Sequence, residues 1–241
     1  MIFLRDEEIK NCTDLAMTNE DTNFTVTNLT DDIIANYARA SSNTTTISGS
    51  ISNNSNSIAI LGHNLTTATG TATLKLYDGV TLQDTINLTV SETIVYLNID
   101  ETYDNFELIL ADSSLSEIYV GKLIIGDYVE PTVNSKVDFV VNYQRNDKVF
   151  ENETGQKYTQ EGIEKRSFSY SFPKQSLEDS QNLRTFWRAV GKHEGFLFMN
   201  FNTDLGIDIL EPCFVFFTND LEYNFSKRAR VEFNIEMEEG K

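Results

Sequence analysis

Short apolar runs separated by Thr, Ser and Asn fill the first half of the chain, and longer aromatic runs fill the second. Phe24–Leu29 alternates loosely and predicts a strand, and the polar tract Ser41–Ser57, with Ile47 and Ile51 as its large apolar residues, predicts a strand or two with solvent-facing loops. Ser57–Leu65 is a compact apolar run closed by Gly62, the pattern of a strand buried on both faces. In Thr71–Tyr77, Leu74 and Leu76 face one way and Thr73, Lys75 and Tyr77 the other, and Asp78-Gly79 makes the turn. Ile86–Val90, Ile94–Ile99, Phe106–Leu110 and Ile118–Ile125 complete a series of roughly six to eight short strands with no helical period, which predicts a β-sandwich or jelly roll.

The pattern changes after Pro131. Lys136–Tyr143 and Lys148–Phe150 predict strands, and Phe168, Tyr170 and Phe172 alternate with Ser167, Ser169 and Ser171 in a strand with one buried face. Ser176 with Asp179 three residues on predicts a capping box. Leu183, Phe186, Trp187 and Val190 then share one helical face, and Gly191 stops a helix over 176–190. Gly195–Phe201, Pro212–Phe217 and Arg230–Glu238 predict further strands. The last sets Val231, Phe233, Ile235 and Met237 against an acidic outer row that discourages edge pairing. The fold class is therefore mainly β: an N-terminal β-sandwich (jelly roll) over 21–130, after a leader at 1–20, and a C-terminal α+β domain over 131–241 with one main helix packed on an antiparallel sheet.

Charge narrows the function classes. The chain carries 37 acidic and 19 basic side chains, a net −18; residues 1–125 hold 17 acidic and 5 basic, so the first half is the more acidic. Such a surface repels nucleic acid and anionic membrane, so no nucleic-acid binding is expected. No apolar run approaches the ~20 residues of a spanning helix, and the start at Met1 turns acidic at once, so neither membrane insertion nor a targeting segment is expected. Cys12 and Cys213 read as free thiols, and Asn28-Leu-Thr, Asn64-Leu-Thr and Asn87-Leu-Thr as products of composition.

Candidate chemistry is sparse. His63 follows a buried strand and His193 sits in a polar hinge, neither in a metal-binding spacing. No Gly-x-Ser-x-Gly elbow, His-Glu-x-x-His or phosphate-cradling loop occurs, so no enzyme, cofactor or metal is expected. Asp78, Asp100 and Asp104 lack the spacing of a calcium loop. The candidate ligand contacts are Tyr77 and Asp78 at a strand end and Tyr103 and Asp104 in a loop, residue types that stack on and hydrogen-bond to saccharides.

Two features together resemble a known family. Ser57–Leu65 and Ile118-Tyr-Val-Gly-Lys-Leu-Ile-Ile-Gly-Asp-Tyr-Val-Glu-Pro131 resemble the galactose-binding-like jelly roll that opens certain tailed-bacteriophage structural proteins. Phe168, Tyr170 and Phe172, the helix with Phe186 and Trp187, Gly195-Phe-Leu-Phe and the closing alternating strand are similar to the tail-associated module of distal-tail and tail-tip proteins. The resemblance implies a non-enzymatic virion tail protein, made in the host bacterial cytoplasm, whose partners are copies of itself in a ring and other tail proteins. An acidic surface would suit a wall facing a DNA conduit. The alternatives are a carbohydrate-binding adhesin or accessory module that takes a host surface glycan, and a hydrolase of cell-wall or capsule polymer with paired carboxylates in a cleft.

Overall fold

A computed structural model describes all residues except 52–54, 132–139, 146, 152–153, 155, 201–209, 226–230 and 241. Among the described residues, the strands before Pro131 are β1 (Ile2–Arg5), β2 (Ala16–Met17), β3 (Ala38–Ala40), β4 (Thr44–Ser50), β5 (Ser57–Leu61), β6 (Gly70–Asp78), β7 (Thr81–Leu88), β8 (Ile94–Leu97), β9 (Asn105–Asp112), β10 (Ile118–Val120), β11 (Lys122–Gly126) and β12 (Tyr128–Val129). After it come β13 (Val140–Arg145), β14 (Lys148–Glu151), β15 (Lys157–Gln160), β16 (Glu164–Gln175), helix α1 (Leu177–Val190), β17 (Phe196–Asn200), β18 (Leu210–Phe217), β19 (Glu222–Phe225) and β20 (Val231–Glu239). Contacts divide the chain into two compact units: an N-terminal unit of Ile2–Glu130 with Phe196–Pro212, and a C-terminal unit of Pro131–Gly195 and Cys213–Lys241 with Met1. The mainly β fold class, with α1 the one α-helix among the described residues, is as the sequence predicts.

The N-terminal unit is a β-sandwich. One layer is the five-stranded antiparallel sheet β2-β4-β9-β6-β7, and a second is β11-β5-β8. The alternation in β6 and β9 points Ala72, Leu74, Leu76, Phe106, Leu108 and Leu110 inward, where they join Ile58, Ile60, Leu123 and Ile125 in one apolar core. All five residues of β5 are buried, as its uninterrupted apolar run demands. Two expectations are corrected. Phe24–Leu29 is not a strand: Val26–Thr30 is a 3-10 turn in which Asn28 N donates to Thr25 O (3.0 Å) and Val26 and Leu29, three apart, are the buried pair. Ile118–Ile125 is two strands, β10 on β3 and β11 on β5. The break falls at Gly121, where a Cβ would lie 2.6 Å from the Ile34 carbonyl oxygen, so only glycine fits.

The first residues are built in. β1 pairs with β12 on one side and β17 on the other, and its Phe3 ring packs 5.5 Å from Phe198 and 6.1 Å from Phe196. Behind it Lys122, fully buried, places Nζ 3.1 Å from Asp6 Oδ2 and 3.5 Å from Asp32 Oδ1. The same ammonium donates to Leu29 O (3.1 Å) and Asp31 O (2.7 Å). Burial pushes the Asp6 carboxyl up to about 6, against the opposing pull of Lys122. This cluster ties the N-terminal segment, the 3-10 turn and β11 together.

The C-terminal unit is a helix-covered sheet. β16 pairs with β20 along one edge and with β13 along the other, while β18 and β19 share the far edge of β20. Phe168, Tyr170 and Phe172 oppose Met237, Ile235 and Phe233, so both alternating strands aim their apolar rows at one face. α1 begins at Ser176, whose hydroxyl oxygen accepts from Asp179 N (3.0 Å), and ends at Gly191 with φ of 60° and its N–H on Trp187 O (2.7 Å). Leu183, Phe186 and Val190 are its buried stripe, and Phe186 meets Phe217 edge-on at 6.3 Å.

Replacing Lys122 by Met should cost about 3–5 kcal/mol in urea unfolding, because Asp6 would keep its burial and lose its counter-ion. The Asp6 carboxyl should titrate near 6 in carbon-13 NMR of the native protein. Since that value lies above the unfolded 3.8, the folded state holds the extra proton; the stability this group lends is full below the unfolded value and is lost as pH rises through about 6. A midpoint near 4 would show that the carboxyl is not desolvated as described.

Candidate functional site

The β6–β7 hairpin and the start of β9 bring three of the four sequence candidates to one end of the five-stranded sheet. Gly79 takes φ of 58° at the hairpin turn, and its N–H donates to Asp104 Oδ1 (2.8 Å). Asp104 N donates to Tyr77 O (2.9 Å), and Asp104 O accepts from Ile51 N (2.8 Å). Asp104 thus staples the hairpin to β9 and to the end of β4. Asp78 is exposed beside it. Tyr77 is half-buried and its hydroxyl donates to Glu107 Oε2 (2.9 Å), a bond that raises the phenol's pKa. Tyr103 lies elsewhere: it is 3% exposed and its hydroxyl donates to Ser55 O (2.8 Å), so the ring is core and offers no face to a ligand.

Beside the turn lies an open groove of about 300 Å³, lined among others by Asp14, Ser48, Tyr77, Val80, Asn105 and Glu107. A second of about 340 Å³, lined by Glu8, Asn11, Thr13, Asp14, Ser50 and Ile51, shares Asp14 with it. Asp14 is missed by sequence reasoning because it falls in the stretch set apart as a leader. Ser50 N donates to its Oδ1 (2.9 Å), the Ser50 hydroxyl to its Oδ2 and the Cys12 thiol to its Oδ1 (3.1 Å). The Ser50 bonds, above all, hold its carboxyl down at about 2. Partial burial, followed by the bond to Asp14, pushes Cys12 up to about 11, which leaves it a thiol.

The chemistry on offer is hydrogen bonding: a phenol, an amide, hydroxyls and carboxylates around a groove with Val80 at its rim. Paired-carboxylate hydrolysis needs one carboxyl raised to act as the acid. Asp14 is displaced the other way, and Asp6, the carboxyl raised among the described residues, is buried on Lys122 rather than in a groove. His63 Nδ1 accepts from Leu65 N (3.2 Å), and burial lowers its pKa, so it is a neutral turn-former. Among the described residues no group of three or more His, Cys, Asp or Glu side chains converges as metal ligands would, and no described helix is long and apolar enough to cross a membrane.

No protein-family model and no curated protein matches the sequence. Among solved structures, a fucose binding module from Streptococcus pneumoniae is similar at 10% identity over 50% of this chain and 95% of its own, with a TM-score of 0.41. A family 32 carbohydrate-binding module from Clostridium perfringens, in complex with GalNAc-β-1,3-galactose, aligns at 8% identity over 50% of this chain and 99% of its own, TM-score 0.39. The tail of an empty gene transfer agent particle of C6 symmetry aligns at 11% over 46% and 81%, TM-score 0.32. At these identities and scores each likeness is slight.

Replacing Tyr103 by Phe should cost about 1–2 kcal/mol of stability, the price of leaving the Ser55 carbonyl without its donor. Chemical denaturation measures it, and no change would mean that water replaces the hydroxyl.

Proposed function

We propose that the chain is a non-enzymatic structural protein of a tailed-bacteriophage virion, a tail-tip or distal-tail component that packs against copies of itself and other tail proteins after synthesis in the bacterial cytoplasm. One observation carries the reading: three of the elements on which the sequence resemblance rests, β16 with its aromatic row, α1 and the closing strand β20, pack as one helix-covered sheet. A covered sheet of this kind is a scaffold, and its other face and the outer edge of β13 remain for neighbours.

The groove beside Tyr77 favours a second reading, an accessory module that takes a host surface glycan. Tyr77, Asp78 and Asp104 would contact the sugar, with Asp14 and Asn105 as further hydrogen-bonding groups. Under this reading Asp78→Ala, at an exposed side chain, should weaken binding on a glycan array while leaving the unfolding midpoint within a few degrees, on the order of a surface substitution.

The leading reading is tested on tailed particles purified from cells that make the protein. It expects the chain in a fixed copy number per particle by quantitative mass spectrometry, and antibody-bound gold at one end of the tail. Absence of the chain from washed particles would refute it.

A further inference from the structure

Among the described residues, the exposed large apolar side chains of the C-terminal unit other than Leu177 of α1 gather on one ribbon. β14 and β15 form a hairpin in which every residue is exposed, and Phe150 at 52% directly opposes Tyr158 at 56%. Val149, 63% exposed, lies on the opposite face of the same hairpin, and Ile163, 66% exposed, on its return. Each face of the ribbon therefore exposes apolar side chains to water beside charged and polar ones, Lys148 and Gln160 on one face and Glu151, Lys157 and Thr159 on the other. The ribbon leads out of β13, where Val140 and Tyr143 are also more than half exposed.

β13 is the last strand of its sheet among the described residues, so one edge of its backbone faces outward. Edges of this kind are normally guarded by charge. On β13 the row facing away from the apolar side of the sheet is Val140, Asn142 and Gln144, with no charge, and Arg145 at the strand's end is the charge in the other row. Residues 140–166 contain five basic and five acidic side chains, so the whole net −18 lies outside the ribbon. Two copies of so acidic a chain repel each other overall, and a segment with no net charge is one over which that repulsion is weak.

We infer that the β13 edge and the β14–β15 hairpin form the self-association surface of the protein, occupied by the same ribbon of a second copy. The inference rests on the structural reading above and deepens it by naming the contact. Strand addition at β13 satisfies the outward backbone groups, and the partner ribbon covers Phe150, Tyr158 and Val149. Neutral ribbons meet without like-charge repulsion, while the acidic bodies oppose association at low salt. Raising salt therefore strengthens the assembly.

Sedimentation velocity of the full chain over a concentration series tests this, with three variants beside the parent. Phe150→Ser/Tyr158→Ser removes the hairpin pair and Val140→Lys/Asn142→Lys charges the edge; both change exposed or edge positions, and circular dichroism checks that each stays folded. Val80→Ser/Leu82→Ser removes the exposed pair on the β6–β7 hairpin as the control. The expected result is concentration-dependent association of the parent, strengthened by salt, weakened at least about tenfold by each of the first two variants and unchanged in the control. A parent that stays monomeric at every concentration and salt, or association that survives both ribbon variants, overturns the inference. Should the second-strand variant misfold, the hairpin variant alone decides. The structural reading fails separately: ribbon-dependent association of a chain absent from tailed particles would sink that reading and leave the contact, whereas a monomer found in tails would do the reverse.

Discussion

The one-sided burial of β-sheets is the constraint on which this molecule depends. In the N-terminal unit it sends Ala72, Leu74 and Leu76 of β6 into the same core as Phe106, Leu108 and Leu110 of β9. In the C-terminal unit it aligns the aromatic row of β16 with Phe233, Ile235 and Met237 of β20. A slip of one residue in either ladder would turn the apolar row to water and the serines and glutamates inward. α1 is the cover that this alternation requires, and its stripe of Leu183, Phe186 and Val190 supplies the second half of the core. The ribbon of β13 to β15 is where the constraint lapses, since its exposed apolar side chains stand on both faces and none of the described residues covers them.

Elements with a strong period were legible in the sequence. β5, β6, β16, α1 and β20 lie where alternation, the capping serine and the terminal glycine put them, because each is settled by local chemistry. The misread segments were those decided by distant partners. Phe24–Leu29 alternates, yet Val26 and Leu29 reach the core from a 3-10 turn; β10 and β11 part company at Gly121 because Ile34 crowds that backbone. The burial of β1 needed β17, nearly 200 residues away in the chain. The candidate site was read in part: Tyr77 and Asp104 do meet at one turn, which the Asp78-Gly79 signal announced. Tyr103 looked like a loop tyrosine and is core, because Ser55, far along the chain, takes its hydroxyl. Asp14 gave no signal, since nothing local marks a carboxylate that Ser50 will hold.

The Lys122 cluster and the ribbon show the same chain using charge in two ways. Inside, one ammonium offsets Asp6 and Asp32 at the cost of desolvation, and the raised Asp6 shows that the cost exceeds the gain for that carboxyl. Outside, the net charge of −18 keeps copies apart, and the ribbon over 140–166 adds nothing to it. Covering the half-exposed Val140, Tyr143, Val149, Phe150, Tyr158 and Ile163 of two ribbons would contribute on the order of 10 kcal/mol. Association itself costs roughly 4–15 kcal/mol, so the contact is reversible in free solution and gains permanence only where several copies are held together.

The central claim is that this is a protein built to assemble, and native mass across concentration and salt tests it most directly. The account predicts a monomer when dilute at low salt and a dimer, the closed product of a ribbon-on-ribbon contact, as concentration and salt rise. A mass that stays at one chain, 27.4 kDa, under all conditions, or that falls as salt is added, would contradict it.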